Sequence, residues 1–138
     1  MNSALVSPVY NTTPGSWRMK IGITSKGRDL DSPVDERFGR AAGFIIVELE
    51  SMEYEWVDNS QTLSAPQGAG IQAAQNIAQR GVTHVITGHC GPKAFRTLAA
   101  GQIKVVVGAT GTVREAIEQF RQGKLAVVTG PDKESHWA

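Results

Sequence analysis

The alternation of apolar and polar residues changes its period along the chain, and this change separates strands from helices. A period of two predicts a first strand over residues 20–24. Residues 44–49 and 53–57, joined by residues 50–52, predict an antiparallel hairpin whose glutamates face water. Between these elements, residues 25–42 are polar. A loop of this length in a compact domain is usually functional or mobile.

After the hairpin, helical and extended patterns follow one another. In segment 112–122 the apolar residues recur at i, i+3, i+4 and i+7, which predicts a helix, and Thr112 and Glu115 have the spacing of a capping box. The complete order after the hairpin is helix 66–80, strand 82–87, helix 92–100, strand 103–107, helix 112–122 and a short apolar stretch at 125–128.

A hairpin followed by β-α-β-α units predicts the fold class α/β. We expect a mixed five-stranded sheet with an N-terminal antiparallel part and parallel later strands, covered by helices in a three-layer α/β/α arrangement. Ligands of such sheets bind off the carboxyl ends of the strands. The loops that follow the strands are therefore the first candidates for a site.

Length and composition limit the classes of protein to consider. The 138 residues suffice for one domain, predicted over residues 19–129, with residues 1–18 as a flexible extension or cloning remnant and residues 130–138 as a tail. The single cysteine, Cys90, excludes an internal disulfide framework and fits a reducing, cytoplasmic location. Because no apolar run approaches the roughly 20 residues that cross a bilayer, we expect no membrane association.

The net charge is +1, but the charges are distributed unevenly. Residues 43–60 contain five carboxylates and no Lys or Arg, whereas residues 84–124 contain six cationic side chains and two glutamates. Solvated surfaces explain both segments, and the second is also the pattern of a cationic rim around an anionic ligand. A nucleic-acid partner is not expected, since its footprint is normally a strongly basic domain.

Two loops, residues 88–92 and 108–112, share one construction: a strand, a turn bracketed by glycines and the start of a helix. Glycine lets the backbone approach a ligand closely, and a helix N-terminus presents unpaired N–H groups, so both loops favour anions. Lys93 and Arg114 follow in the first turns of the two helices, where an anion between them would offset their repulsion from the helix dipoles. Any βα connection also needs glycine and a cap, and this purely structural explanation stays open.

Cys90 and its neighbour His89 are candidates for chemistry. A helix N-terminus favours the thiolate form, so Cys90 is a candidate nucleophile or soft metal ligand, with inert packing as the alternative. The sequence contains no phosphate-binding loop, dinucleotide fingerprint, HExxH motif or CxxC motif. Standard nucleotide and zinc sites therefore have no support.

Taken in order, residues 20–24, 34–41, 68–70, 88–95 and 108–113 resemble the dinitrogenase iron-molybdenum cofactor biosynthesis family. The resemblance covers about residues 19–125 and implies a ribonuclease-H-like fold and a cluster-binding protein rather than an enzyme. Members of this family bind the nitrogenase iron-molybdenum cofactor or its precursor. The chain looks like the small stand-alone, orange-protein-like type, which binds a molybdenum–copper sulfide cluster non-covalently. With one cysteine, a four-thiolate iron–sulfur site within one chain is excluded.

The resemblance and the loop chemistry together predict a site for an anionic metal–sulfur cluster. On this hypothesis Arg37 and Arg40 clamp cluster sulfides, Phe38 shields one side, and the two glycine turns donate N–H groups. His89 or Cys90 supplies the direct metal contact. The predicted cofactor-binding residues are Arg37, Phe38, Gly39, Arg40, Gly68, Gly70, Gly88, His89, Cys90, Gly91, Lys93, Gly111, Thr112 and Arg114.

The leading functional hypothesis is a carrier or store for such a cluster, of the iron-molybdenum cofactor, molybdenum–copper sulfide or iron–sulfur type. It would work with cluster-donor or acceptor proteins, as a monomer or weak homodimer. Two alternatives stay open. One is an assembly or regulatory module whose acidic hairpin, residues 48–58, docks a protein partner. The other is a small enzyme that uses Cys90 with His89 on an anionic substrate.

Overall fold

The computed structural model describes residues 19–59 and 69–128, and within them a six-stranded sheet is covered by three α-helices. The strands are β1 (Lys20–Ser25), β2 (Gly43–Glu48), β3 (Tyr54–Asp58), β4 (His84–Ile86), β5 (Lys104–Val107) and β6 (Ala126–Val128). The helices are α1 (Ala69–Ala78), α2 (Pro92–Ala100) and α3 (Val113–Arg121), and a 3-10 turn spans Phe38–Arg40. The strand order across the sheet is β3-β2-β1-β4-β5-β6.

Strand direction divides the sheet into a parallel centre and antiparallel edges. β1, β4 and β5 run parallel, whereas β2, β3 and β6 each run antiparallel to their neighbour on the inner side. The α/β fold class and the mixed, hairpin-first sheet predicted from the sequence are thereby confirmed. The described residues hold six strands rather than the expected five, and the last of them is antiparallel. Residues 125–128 form an unbroken apolar run, so only their pairing with β5 reveals this direction.

Several predictions lie outside the described residues. They are the N-terminal extension 1–18, the tail 130–138 and the predicted helix start at residues 66–68. Within the described part, helix α1 confirms the helical period read from the sequence. The predicted domain bounds stay predictions.

The sheet has a hydrophobic core on each face, which makes the domain three-layered. Alternate strand residues point to opposite faces. Val85 and Val105 pack with α1 and α2 through Ile77 and Leu98 on one face. Ile86 and Val106, one position along each strand, pack on the opposite face with α3. Burial of both faces explains why the central strands read as apolar runs.

The predicted capping box at the start of α3 is present. The Thr112 hydroxyl accepts from the Glu115 amide at 3.1 Å, and the Glu115 carboxylate accepts from the Thr112 amide at 2.8 Å. The box satisfies two donors at the helix start within the segment itself. The start of α3 is therefore closed by its own side chains.

His84 lies in β4 at the amino end of the parallel strands, where its contacts are structural. Its ring meets Phe120 edge-on, with 5.1 Å between the ring centroids, and its Nδ1 lies 2.8 Å from the Thr83 hydroxyl oxygen. Burial, with a smaller contribution from the nearby Lys104 ammonium, lowers the pKa of His84 below its usual value of 6.5. The neutral ring is therefore the form that the fold prefers.

This lowered pKa predicts a pH dependence of stability. The unfolded chain binds a proton at His84 below about pH 6.5 while the folded chain does not, so the free energy of unfolding should fall as the pH drops below that value. We expect His84→Gln to flatten this part of the curve, measured by urea unfolding between pH 7.5 and 5. Lys104→Met should flatten it partly, because it removes the smaller cause. An unchanged slope in His84→Gln would contradict the assignment.

Candidate functional site

Three loops meet at the carboxyl ends of β1, β4 and β5, where a ligand site is expected in such a sheet. The loop after β1 lies between the two glycine turns and is joined to both by isolated backbone bridges. Arg37 is bridged to His89 of the turn after β4, and Pro33 is bridged to Thr112 of the turn after β5. The long loop predicted as a candidate site thus connects the two other candidates.

The connection to the turn after β4 is close and well defined. The His89 amide donates to the Glu36 carbonyl at 2.7 Å, and the Phe38 amide donates to the His89 carbonyl at 3.1 Å. Gly88 packs closely against the same loop segment. A Cβ added at this position would lie only 2.9 Å from the Cα of Glu36. Gly88 therefore permits a close backbone approach within the protein, rather than the predicted approach to a ligand.

A groove of about 360 Å³ opens beside these bridged loops. Its lining residues are Gly39, Gly70, Ile71, Gly91, Pro92, Lys93 and Ala94. They come from the 3-10 turn, from helix α1 and from the first turn of α2. The first-turn amides of a helix have no acceptor within that helix, and its N-terminus carries a partial positive charge. The N-terminus of α2 at this groove therefore favours an anionic ligand.

Cationic side chains surround this groove. Arg37 precedes the 3-10 turn that contributes Gly39, Arg40 is its last residue, and both are exposed. Within residues 19–59 and 69–128, neither guanidinium has an ion-pair partner. Lys93 lies on the groove itself, and His89 is exposed at the bridge next to it. The groove and its margin thus combine backbone donors with guanidinium donors.

Two predicted site residues are buried below this surface. Phe38 and Cys90 are 1% and 0% exposed and belong to the hydrophobic core beneath α1 and α2. The Phe38 ring packs on Phe44, with 5.5 Å between the centroids, so the prediction that Phe38 shields a ligand needs correction. The Cys90 sulfur lies 3.7 Å from the Gly91 carbonyl oxygen. The thiol is therefore not exposed to a metal at the groove surface.

The start of α3 does not belong to the groove, which corrects the prediction that both glycine turns serve one ligand. Its first-turn amides are already occupied: Val113 donates to the Ser32 carbonyl at 2.9 Å and Arg114 to the Leu30 carbonyl at 2.8 Å. The Arg114 guanidinium pairs with Asp31 at 3.1 Å. This side of the helix faces a separate cleft of about 490 Å³, lined by Thr110, Gly111, Arg114, Glu115, Glu118, Gln119 and Gln122.

Gly111 and Thr112 thus have structural roles. Gly111 adopts a φ of +84°, a left-handed conformation that glycine adopts without strain, and its carbonyl accepts from the Val34 amide at 2.8 Å. Thr112 is the helix cap described above. Gly68, also predicted, lies outside the described residues.

Sequence reasoning missed some residues of this region. Ile71, Pro92 and Ala94 line the groove, and the start of a helix beside a predicted glycine was the available signal. Below the loops, the polar residues Thr24, Asp35 and Thr87 are buried at 0%, 8% and 0% exposure. For the two threonines, the only sequence signal was that each is the last residue of a predicted strand.

The described part of the chain holds no group of three or more His, Cys, Asp or Glu side chains arranged for a metal ion. None of its helices has the length and apolar character that a membrane span requires.

Comparison with known proteins places this geometry in a family. The family model described as dinitrogenase iron-molybdenum cofactor matches residues 19–123. The chain belongs to this family. The resemblance predicted from the ordered motifs is thereby confirmed, and the family's association is with metal clusters.

Solved structures and relatives of the family cover most of the chain. The apo form of the orange protein from Desulfovibrio gigas is 43% identical with a TM-score of 0.79, over 82% of this chain and 95% of that one. A Thermotoga protein of the DUF35 family, solved by NMR, is 39% identical with a TM-score of 0.71, over 81% and 95%. An uncharacterized protein of Methanocaldococcus jannaschii is 35% identical over 110 residues, 78% of this chain and 89% of that protein.

Proposed function

We propose that this protein binds an anionic metal–sulfur cluster in the groove between the 3-10 turn, α1 and the start of α2, and carries or stores it. The observation that carries the proposal is the N-terminus of α2 at a groove whose margin holds two arginines without ion-pair partners in the described chain. Membership of a family associated with metal clusters supports the same reading.

The chemistry of such a cluster suits these donors. A thiometallate cluster is a bulky, soft polyanion whose sulfides accept hydrogen bonds from backbone amides and guanidinium groups. The groove of about 360 Å³ has room for a small cluster, and Lys93 adds a cation on its wall. His89, an exposed residue two positions before the groove residue Gly91, is the candidate nitrogen ligand. Iron-molybdenum cofactor-like, molybdenum–copper sulfide and iron–sulfur clusters are the candidate cargoes.

We infer a carrier rather than an enzyme. The only thiol of the chain, on Cys90, is fully buried and packs among apolar side chains, where a small substrate does not reach it. This burial argues against the cysteine-enzyme alternative. Cluster-donor and acceptor proteins are the partners that a carrier requires.

A specific feature keeps the docking module as a second candidate. Glu48, Glu53 and Glu55 of the hairpin line a cleft of about 200 Å³ with Lys20 and the exposed Tyr54. Lys20 begins β1, whereas the groove lies past the end of β1, so this acidic cleft is at the opposite end of the strand. A cationic partner surface would be complementary to it.

Anaerobic purification of the full chain tests the proposal. Visible absorption and elemental analysis for molybdenum, copper, iron and acid-labile sulfide are measured before and after addition of tetrathiomolybdate with copper or iron. A stable chromophore with stoichiometric metal is the expected result and identifies the cargo. A protein that stays colourless under every condition would overturn the cluster proposal and favour the docking module.

Cys90 and His89 can be separated as metal ligands by substitution. Because the thiol is buried, we expect Cys90→Ala to retain the cluster and to lose on the order of 1 kcal/mol of stability through the small cavity left behind. His89→Ala, an exposed position, should lower cluster retention with little change in stability. Metal stoichiometry and thermal unfolding of both variants are the measurements. Loss of the cluster in Cys90→Ala would contradict this expectation and indicate that the thiol coordinates the metal.

A further inference from the structure

We infer that Thr24 is a positioning residue for the groove: its buried hydroxyl, linked to Thr87, holds the β1–β2 loop so that Arg37 and His89 lie together. The expected effect on ligand binding rests on the proposed function, whereas the expected effect on amide hydrogen exchange rests on the fold alone. Thr24 and Thr87 are both fully buried at the carboxyl ends of the neighbouring parallel strands β1 and β4. Neither side chain reaches the groove lining.

Thr24 holds one loop residue, Asp35, by two hydrogen bonds. Its hydroxyl donates to the Asp35 carbonyl at 2.5 Å, and its carbonyl accepts from the Asp35 amide at 3.0 Å. The Thr24 and Thr87 hydroxyl oxygens are 2.9 Å apart. Since the single Thr24 proton is used on Asp35, Thr87 must donate to Thr24. Both backbone groups of Asp35 are therefore fixed to the end of β1, which is itself tied to β4.

From Asp35 the hydrogen bonds continue to the groove margin. The Asp35 carboxylate accepts from the Arg37 amide at 3.2 Å, and the intervening Glu36 carbonyl accepts from the His89 amide at 2.7 Å. The Arg37–His89 bridge thus lies only two residues beyond the anchored one. A carbonyl left without its donor in a buried place costs free energy, so the loop should shift when the hydroxyl is removed.

An apolar isostere tests the link. Thr24→Val keeps the shape of the side chain but leaves the Asp35 carbonyl without its donor. We expect amide hydrogen exchange at Asp35, Phe38 and His89 to speed up by roughly tenfold, and binding of tetrathiomolybdate with copper to weaken by a similar factor, as one lost buried hydrogen bond implies. Thr24→Ser retains the hydroxyl and should restore both.

Thr83→Val is the matched control. The Thr83 hydroxyl donates to the Lys20 carbonyl at 3.2 Å, so it joins the same two strand regions at their other end. In Thr83→Val we expect amide exchange at Phe38 and His89 and the affinity for thiomolybdate to equal those of wild type. This should hold even if its thermal stability falls as much as that of Thr24→Val. If Thr24→Val does not fold, Thr87→Val removes only the outer hydrogen bond and serves for the same comparison.

The two readouts distinguish this inference from the proposed function. If the wild type binds no thiomolybdate, the proposed function fails, while faster exchange at the three amides still supports the positioning role. If exchange and affinity in Thr24→Val equal those of wild type, or if Thr24→Ser does not restore them, the positioning role is overturned. Equal effects in Thr83→Val would also overturn it, because general loosening of the sheet would then be the cause.

Discussion

Replacement of Arg37 and Arg40 together by alanine is expected to weaken cluster binding by at least about 100-fold and to leave the free energy of unfolding nearly unchanged. A hydrogen bond from a charged group contributes roughly 1.5–3 kcal/mol, which corresponds to about tenfold or more for each guanidinium. Both side chains are exposed and have no ion-pair partner in the described chain, so the fold does not depend on them. Metal stoichiometry after reconstitution and urea unfolding are the two measurements.

Arg80→Ala is the matched control for this double variant. Arg80 is an exposed arginine whose only described ion pair is with Glu55, at 4.0 Å, and it does not line the groove. We expect its cluster content to equal that of wild type. Equal cluster content in the Arg37/Arg40 variant and the wild type would contradict the clamp. Equal losses in the two variants would indicate a general effect of net charge.

Gly88→Ala is expected to destabilise the protein by roughly 1–3 kcal/mol, the cost of forcing extra atoms into a packed place. The new Cβ would lie 2.9 Å from the Cα of Glu36 and 3.0 Å from its carbonyl oxygen, which are backbone atoms and cannot turn away. The displaced carbonyl is the acceptor of the His89 amide. The variant should therefore lose both stability and the arrangement of the groove margin, measured by urea unfolding and by exchange at His89.

Gly91→Ala, three residues along, is the control for this prediction. A Cβ at Gly91 would meet nothing within 4 Å, and its φ of −69° suits any residue. Alanine is a poorer helix N-cap than glycine but reduces the freedom of the unfolded chain, so the two effects offset each other to within about 0.5 kcal/mol. A loss of stability in Gly91→Ala as large as that in Gly88→Ala would remove the steric explanation.

These two glycines illustrate a limit of motif reading. Both belong to one glycine-bracketed turn, and both were predicted to serve a ligand. In the structure Gly91 lines the groove, whereas Gly88 lies against Glu36. The two glycines have similar sequence surroundings. Their roles differ because the loop that contains Glu36, about fifty residues earlier in the chain, packs against Gly88.

The sequence by itself determined the order and type of the elements. The capping box of Thr112 and Glu115 and the helical spacing in α3 are patterns within one segment, and the structure has both. Local hydrogen bonds and one-sided burial depend on residues a few positions apart, so their signals are present in the sequence. The α/β class and the carboxyl-end location of the loops follow from the order of these elements.

Only the tertiary structure decided which donors remain for a ligand. The amides at the start of α3 bind the carbonyls of Leu30 and Ser32, and Phe38 and Cys90 turn into the core, although the sequence offered all three as site features. These outcomes depend on contacts between separate segments of the chain, and those at the start of α3 join residues that are about eighty positions apart. Such contacts leave no periodic or spacing signal, because each loop meets its partner only after the sheet has formed. The groove therefore became visible only when α1, α2 and the 3-10 turn were seen to meet.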